Sequence, residues 1–157
     1  MVQLLLFLHV GAAILAFGPT FAFPIIGGMG GKEPMFANFA TRVSEAIEKR
    51  LVLPFALTMP LSGIGLIWFG DINLFSTRSA WLIVGIVLYT AAILFVIRLQ
   101  NPAVAKVVEL TSRPPDPSAG GPPAELLATI KRVQQGGQAL ALAIVVIVFL
   151  MIFKPGF

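Results

Sequence analysis

Residues 3–26 read QLLLFLHVGAAILAFGPTFAFPII and contain no Asp, Glu, Lys or Arg. A helix crosses the hydrocarbon core of a bilayer with about 20 mostly apolar residues, so this stretch predicts a membrane span. The rest of the chain has the same character, since 57% of its 157 residues are hydrophobic and only 11% are charged. A soluble domain carries about 25% charged residues. The composition therefore favours a membrane protein over a water-soluble one.

Three further apolar stretches cover residues 51–69, 81–97 and 136–153. Together with the first, they predict an all-α polytopic membrane protein, a four-transmembrane-helix bundle that forms one membrane domain over residues 1–157. The first stretch lacks the basic n-region and the A-x-A cleavage site of a signal peptide. We therefore interpret it as a span.

The basic residues are distributed unevenly between the connections. Nine of the eleven Lys and Arg lie in the two long connections, after the first and third spans, and the other two are Arg78 and Lys154. Lys and Arg favour the cytoplasmic side, so both termini are expected to face outward. Trp68 and Trp81 then fall at the outer interface, where aromatic belts occur. Because this orientation accounts for the net charge of +4, no nucleic-acid partner is expected.

The long connections contain both helical and flexible patterns. The glycine-rich residues 27–31 predict a flexible exit from the first span. Residues 34–50 predict an amphipathic helix, which either lies at the membrane interface or extends the second span. Residues 101–102, Asn-Pro, predict a break or a kink of the helix, residues 114–123 a proline-rich unstructured loop, and residues 136–137 a glycine hinge. The apolar positions of the amphipathic helix are Phe36, Phe39, Val43 and Ile47.

The first span holds the only histidine of the chain, His9. An ionisable group inside a membrane is costly and is a functional-site hypothesis by default. On a helix His9 shares a face with Ala13, Ala16 and Thr20, and faces of small residues are where membrane helices pack closely. We therefore expect this face to point into the bundle. The predicted polar interior cluster contains His9, Thr20, Thr58, Ser62 and Tyr89.

Three roles for His9 follow from its chemistry. The first is structural, with a neutral imidazole hydrogen-bonded to Ser62, Tyr89 or a backbone carbonyl. The second is axial ligation of haem b, with Met59, Met151 or the His9 of a second copy as the other ligand. The third is contact with a proton or a substrate. A single histidine excludes a bis-His site within one chain.

No catalytic residue is assigned, because the spans contain no carboxylate pair and no Ser-His-Asp set is visible. The chain has no cysteine, so a thiolate metal site is excluded, and no metal site is predicted.

The first span carries a family resemblance. The sequence LFLHVGA at residues 6–12, followed by GPTFAFP at residues 18–24, resembles an uncharacterised family of small bacterial integral membrane proteins with four predicted helices. The resemblance implies the fold and a location in the bacterial inner membrane, and it implies no activity. The Leu8-His9 start is also similar to a helix in the membrane domain of copper-resistance protein D. The further histidines and methionine motifs expected of a copper handler are missing from this chain.

These observations favour a non-enzymatic structural or accessory subunit that packs in an oligomer or in a larger membrane complex. The alternative is a haem b-binding electron-transfer or sensing protein that uses His9. A small transporter is the second alternative, and it would require a water-filled route through the bundle.

Overall fold

The computed structural model describes residues 1–113 and 121–155. Within these residues the chain forms four long helices and no strand, which confirms the predicted all-α class. Each helix is long and apolar enough to cross a membrane. Of the loop predicted at 114–123, residues 114–120 lie outside the described part. The helices are α1 (Val2–Lys32), α2 (Pro34–Phe69), α3 (Thr77–Leu110) and α4 (Ala124–Phe153).

Prolines change the pitch of three helices without ending them. A proline lacks the amide hydrogen and clashes with the preceding turn, so the backbone beside it adopts a tighter or wider turn. α4 is regular throughout. The irregular turns within the other helices are the 3₁₀ turn Gly18–Ala22 in α1, the π-helical turn Glu48–Val52 before Pro54 in α2, and the π-helical turn Val96–Gln100 before Pro102 in α3.

The connections are more regularly helical than their glycines and prolines predict. Residues 27–31 are helical rather than flexible, because Gly30 packs so closely on α2 that a Cβ there would lie 2.9 Å from the Cβ of Ala40. Asn101–Pro102 does not break α3, because the π-helical turn before it accommodates the proline ring. The two glycines at 136–137 lie inside the regular α4 helix rather than at a hinge.

The amphipathic segment predicted after the first span is the beginning of α2. Its α-helical part, Ala37–Ile47, continues through the π-helical turn into Leu53–Phe69. Of the two interpretations that the sequence left open, the structure therefore shows the extension of the second span. The side chains of Phe36 and Phe39 remain exposed.

The helices are longer than a bilayer is thick. They contain 31, 36, 34 and 30 residues, which corresponds to about 45–54 Å at a rise of about 1.5 Å per residue. The hydrocarbon core needs only about 30 Å. The excess lies on the side of the two long connections, where neighbouring helices continue to pack on each other. We call this part the extension; it comprises Phe23–Lys32, Ala37–Ile47, Asn101–Leu110 and residues 124–135.

The helices are antiparallel neighbours in chain order: α1 packs on α2 and α3 packs on α4 in both the spans and the extension. α2 packs on α3 in the extension, and in the spans Tyr89 of α3 reaches Ala56 of α2. Within the described ranges, α1 and α4 share no comparable packing. The register of each pair is constant along its length, so the helices stay coaxial from the spans into the extension. The facing pairs are Leu5 with Gly65, Gly30 with Ala40, Ala56 with Tyr89, Asn38 with Val108, Gln100 with Val133, and Gly85 with Met151.

Buried side chains form two clusters inside the spans. One lies between α1 and α2, and the other joins α3 with α4 near the N-terminal end of α3 and the C-terminal end of α4. Trp81 belongs to the second cluster and has the Lys154 ammonium 5.7 Å from the centre of its ring, whereas Trp68 is exposed. Of the two tryptophans, only Trp68 therefore has the exposed side chain expected in an aromatic belt at the membrane interface. The clusters are Ala16, Ala56 and Met59, and Trp81, Leu82 and Leu150.

Candidate functional site

His9 lies in the interface between α1 and α2, where its ring is half-buried. Its Nδ1 atom is 3.0 Å from the Ser62 hydroxyl oxygen, and that hydroxyl donates to the Met59 carbonyl oxygen at 2.9 Å. A serine hydroxyl has a single hydrogen. With that hydrogen on Met59, Nδ1 is the donor toward Ser62 and Nε2 of the neutral ring carries the lone pair. With the hydrogen on Nδ1 instead, the roles of the two ring nitrogens are exchanged.

The second ring nitrogen of His9 has no protein partner in the described part of the chain. The hydrogen bond of the ring is made through Nδ1, and no polar side-chain atom there is both fully enclosed and unpaired. Nε2 therefore reaches the surface of the bundle. Ser62 lies eight residues before Gly70 at the C-terminal end of α2, which is a depth of about 12 Å along the helix. Lipid tails at that depth offer no hydrogen bond.

Small residues on both helices allow the imidazole to fit between them. On α1 the packed face is Ala12, Ala13 and Ala16, and Ala16 is completely buried. On α2 a Cβ at Gly63 would lie 3.4 Å from the His9 Cε1 atom, and a Cβ at Gly65 would lie 3.1 Å from a methyl group of Leu5. The small residues of α1 thus face α2, and this contact brings His9 and Ser62 together.

Tyr89 makes the second polar contact between spans. Its hydroxyl donates to the carbonyl oxygen of Ala56. That carbonyl is free because the residue four positions later, Pro60, has no amide hydrogen. Ala56 is not among the residues of the predicted polar cluster. The signal that identifies it is the proline at i+4.

The remaining members of the predicted polar cluster bond within their own helices. The Thr20 hydroxyl donates to Phe17 at 2.6 Å, and the Thr58 hydroxyl donates to Phe55 at 2.9 Å. Thr58 is exposed on the bundle surface. Neither hydroxyl joins two spans, so the contacts between spans come from Ser62 and Tyr89.

The two methionines named as candidate haem ligands lie in different clusters. Met59 is buried with Ala16 between α1 and α2, where its backbone carbonyl accepts from Ser62. Met151 packs on the Trp81 cluster, and its methyl group lies 2.7 Å from where a Cβ of Gly85 would be. Of the two methionines, Met59 is the neighbour of the His9–Ser62 pair, both along the chain and in the folded structure.

Two shallow apolar grooves flank α3. One, of about 200 Å³, lies between α2 and α3 beside Pro60 and Tyr89, and the other, of about 240 Å³, lies between α3 and α4. Pockets for cofactors and drug-sized ligands are about 300–1,000 Å³. The described residues also contain no cluster of three or more His, Asp or Glu that would hold a metal ion. The His9–Ser62 pair is therefore the candidate site.

The four apolar helices and their packing define the protein as a polytopic α-helical membrane protein. The family described as "Predicted integral membrane protein (DUF2269)" matches residues 3–155, and the chain belongs to that family. No curated protein and no solved structure matches the chain significantly. The family resemblance predicted from the first span is thus confirmed, and the likeness to copper-resistance protein D is not confirmed by these comparisons.

Proposed function

We propose that this protein is a non-enzymatic structural or accessory subunit that packs in an oligomer or in a larger assembly of the bacterial inner membrane. Its termini face outward and its extension faces the cytoplasm. The orientation is supported by the positions of Arg50, Arg98 and Arg132, which lie where the helices leave the apolar part. Lys and Arg favour the cytoplasmic side.

The observation that carries this proposal is the free Nε2 atom of His9. A polar atom facing lipid costs free energy because nothing there replaces its hydrogen bond with water. α1 contacts its own chain mainly through α2, and within Val2–Phe17 only Ala16 is buried. A donor from another polypeptide that packs on α1 satisfies Nε2 and covers this helix at the same time. Interhelical hydrogen bonds of this kind are a recurrent feature of membrane helix association.

The experiment measures assembly mass with and without the imidazole. The wild-type protein, His9→Ala and Thr58→Ala are purified in mild detergent and their masses are measured by native mass spectrometry. We expect wild type and Thr58→Ala to retain a partner or further copies, and His9→Ala to lose them at least in part. Thr58 is the matched control because its hydroxyl bonds only within α2. A wild-type protein that is strictly monomeric and retains no partner contradicts the proposal.

The second candidate function is haem b binding for electron transfer or sensing. The observation in its favour is the hydrogen bond from Nδ1, since a ligating histidine usually donates its other ring nitrogen to a fixed acceptor. His9 would supply one axial ligand through Nε2. Because the grooves are small and Met59 is packed against Ala16, the second ligand and part of the haem pocket would come from another copy.

An absorption spectrum tests this second candidate. Haem binding predicts a Soret band in protein purified from haem-replete cells, and the band disappears in His9→Ala while it persists in Thr58→Ala. Colourless wild-type protein would exclude haem and leave the structural proposal intact.

A further inference from the structure

The hairpin that joins α1 to α2 exposes large apolar side chains. We define the hairpin surface as Met29, Met35, Phe36 and Phe39, whose relative exposures lie between 58% and 76%. Sequence periodicity places Phe36 and Phe39 on the apolar face of an amphipathic helix. The buried contact of this segment is instead made by the small residues Ala37 and Ala40, which pack on Gly30. The two phenylalanines are thereby left uncovered.

The hairpin surface lies outside the membrane. In α2, Arg50 is the last charged residue before the apolar span, and the constant pairing of α2 with α3 puts Arg98 at the same level. Phe36 is fourteen residues beyond Arg50, which corresponds to about 21 Å along the helix. Even a tilt of about 40°, the upper end of the usual range, leaves about 16 Å along the membrane normal. Headgroups occupy only about 5–8 Å on each side of the hydrocarbon core.

A surface of this kind requires a protein partner. Inside the bilayer an exposed Leu or Phe is covered by lipid, and no hydrophobic force drives helices together there. Beyond the headgroups water is the solvent, and burial of apolar area is favourable by about 25 cal/mol per Å². Contiguous exposed apolar surfaces in water mark interaction sites. Lipid covers the exposed apolar side chains of the spans, but it does not reach the hairpin surface.

The charges at the hairpin point to a second copy of the same chain as the partner. Lys32 and Glu33 are adjacent in sequence at the tip, both are exposed, and neither forms an ion pair within residues 1–113 and 121–155. Copies inserted in one membrane have the same orientation, so a closed pair has its two-fold axis along the membrane normal. Residues of equal height then face each other across the axis. Neighbouring opposite charges are self-complementary in this arrangement, with Lys32 of each copy opposite Glu33 of the other.

We infer that the hairpin surface is the docking site of a homodimer, in which the apolar side chains of two hairpins bury each other and reciprocal Lys32–Glu33 pairs border the contact. This inference rests on the proposed function, because it names one interface of the proposed assembly.

Cross-linking at a single engineered thiol tests the interface. The natural chain has no cysteine, so Phe36→Cys carries the only thiol. Leu127→Cys is the matched control, because Leu127 is 53% exposed and lies in the extension on α4, away from the hairpin. Both full-length variants are oxidised in native membrane vesicles at low expression and separated on non-reducing gels. We expect a covalent dimer for Phe36→Cys and monomer for Leu127→Cys.

A charge exchange in the Phe36→Cys background tests the choice of partner. Lys32→Glu places four acidic groups at the two-fold axis and is expected to lower the initial rate of dimer formation about three- to tenfold, as the loss of two exposed ion pairs implies. The double exchange of Lys32→Glu with Glu33→Lys restores opposite neighbours and should restore the rate. A rate that does not respond to the exchange overturns the assignment of the charges.

The other outcomes separate this inference from the proposed function. Mass spectrometry identifies the cross-linked product of the oxidised sample. A cross-link from Phe36→Cys to a different polypeptide overturns the homodimer. A dimer formed only by Leu127→Cys, or an oligomeric mass without any cross-link at Phe36→Cys, overturns the hairpin interface while the proposed function stands. Failure of Phe36→Cys to cross-link together with a monomeric native mass rejects both.

Discussion

His9 holds two spans together with one ring nitrogen, and the other has no partner among residues 1–113 and 121–155. Ser62 orients the imidazole, and the Met59 carbonyl orients Ser62. The small residues around the ring matter as much as its hydrogen bond, because Gly63 and the alanines of α1 bring the two backbones close enough for a serine to reach it. The site is therefore a property of a helix contact rather than of one residue.

The strength of the His9–Ser62 contact is accessible to a double-mutant cycle. His9→Ala, Ser62→Ala and the double variant are unfolded reversibly in mixed micelles by adding SDS. The expected coupling free energy is about 0.6 kcal/mol, with an upper limit of about 1.7 kcal/mol, as for other hydrogen bonds between membrane helices. A cycle pairing His9→Ala with Thr58→Ala is the control and should show no coupling. Coupling of equal size in both cycles would contradict the assigned hydrogen bond.

Gly136 and Gly137 are neighbours with opposite surroundings. A Cβ at Gly136 would collide with the side-chain oxygen of Gln100 and lie 3.1 Å from the Phe95 ring, whereas a Cβ at Gly137 meets nothing within 4 Å. Gln100 also donates to Val133 at 3.0 Å, so it is not free to move away. We expect Gly136→Leu to lower the free energy of unfolding by about 1–3 kcal/mol, the usual cost of overpacking.

Gly137→Leu is the control for this comparison, with an expected change close to zero in the same SDS unfolding assay. Equal effects of the two substitutions would show that α3 and α4 do not approach each other at Gly136.

At the scale of helices, the main feature is the extension. Polar contacts join its helices in chain order: the Asn38 amide donates to the Val108 carbonyl at 2.9 Å, and the Lys106 ammonium lies 3.7 Å from the Glu125 carboxylate. The exposed ion pair contributes little to stability. The amide contact and the close approach of Gly30 to Ala40 hold α1, α2 and α3 together beyond the bilayer.

The helical state of residues 27–31 predicts the effect of removing glycine. Gly27 and Gly28 lie in helix, and a Cβ at either position meets nothing within 4 Å. Glycine destabilises a helix interior by about 0.5–1 kcal/mol relative to alanine. Gly27→Ala and Gly28→Ala should therefore each raise the free energy of unfolding by about that amount. If residues 27–31 were flexible, both variants would have unchanged stability. That result would contradict the helical state of this segment.

At the scale of the whole molecule, the four helices lie side by side in chain order, with α1 and α4 at the two edges. Three helices carry an irregular turn, and the constant register places Gly18–Ala22, Glu48–Val52 and Val96–Gln100 at one level, where the spans pass into the extension. The molecule therefore consists of the spans and a coaxial extension that meet at this level.

The orientation of the molecule is tested by thiol labelling in the cysteine-free chain. Phe75 is 99% exposed in the α2–α3 connection, and Met35 is 76% exposed at the hairpin. With the extension in the cytoplasm, a membrane-impermeant maleimide should label Phe75→Cys in intact spheroplasts and Met35→Cys only after permeabilisation. The reverse pattern would place the extension outside the cell and contradict the distribution of Lys and Arg.

Sequence alone was sufficient for the number and class of the helices. Each span is marked by an uninterrupted apolar run, and the free-energy cost of a charge in lipid makes such a run specific. His9 and its small-residue face could be predicted for the same reason, because one ionisable residue among apolar ones is conspicuous. Ser62 and Tyr89 could be proposed from depth along each helix, which a rise of about 1.5 Å per residue determines.

Only the tertiary structure decided which groups meet. Depth along a helix does not give its rotation or its neighbours. The packed helices were therefore needed to find two hydrogen bonds, from His9 Nδ1 to Ser62 and from Tyr89 to the carbonyl freed by Pro60. They were also needed to show that Met59 and Met151 lie in different clusters. The helicity of residues 27–31 also depended on packing, because glycine disfavours a helix locally and the contact of Gly30 with Ala40 outweighs that preference. Local composition determined the spans, and contacts between distant segments determined the extension and the site.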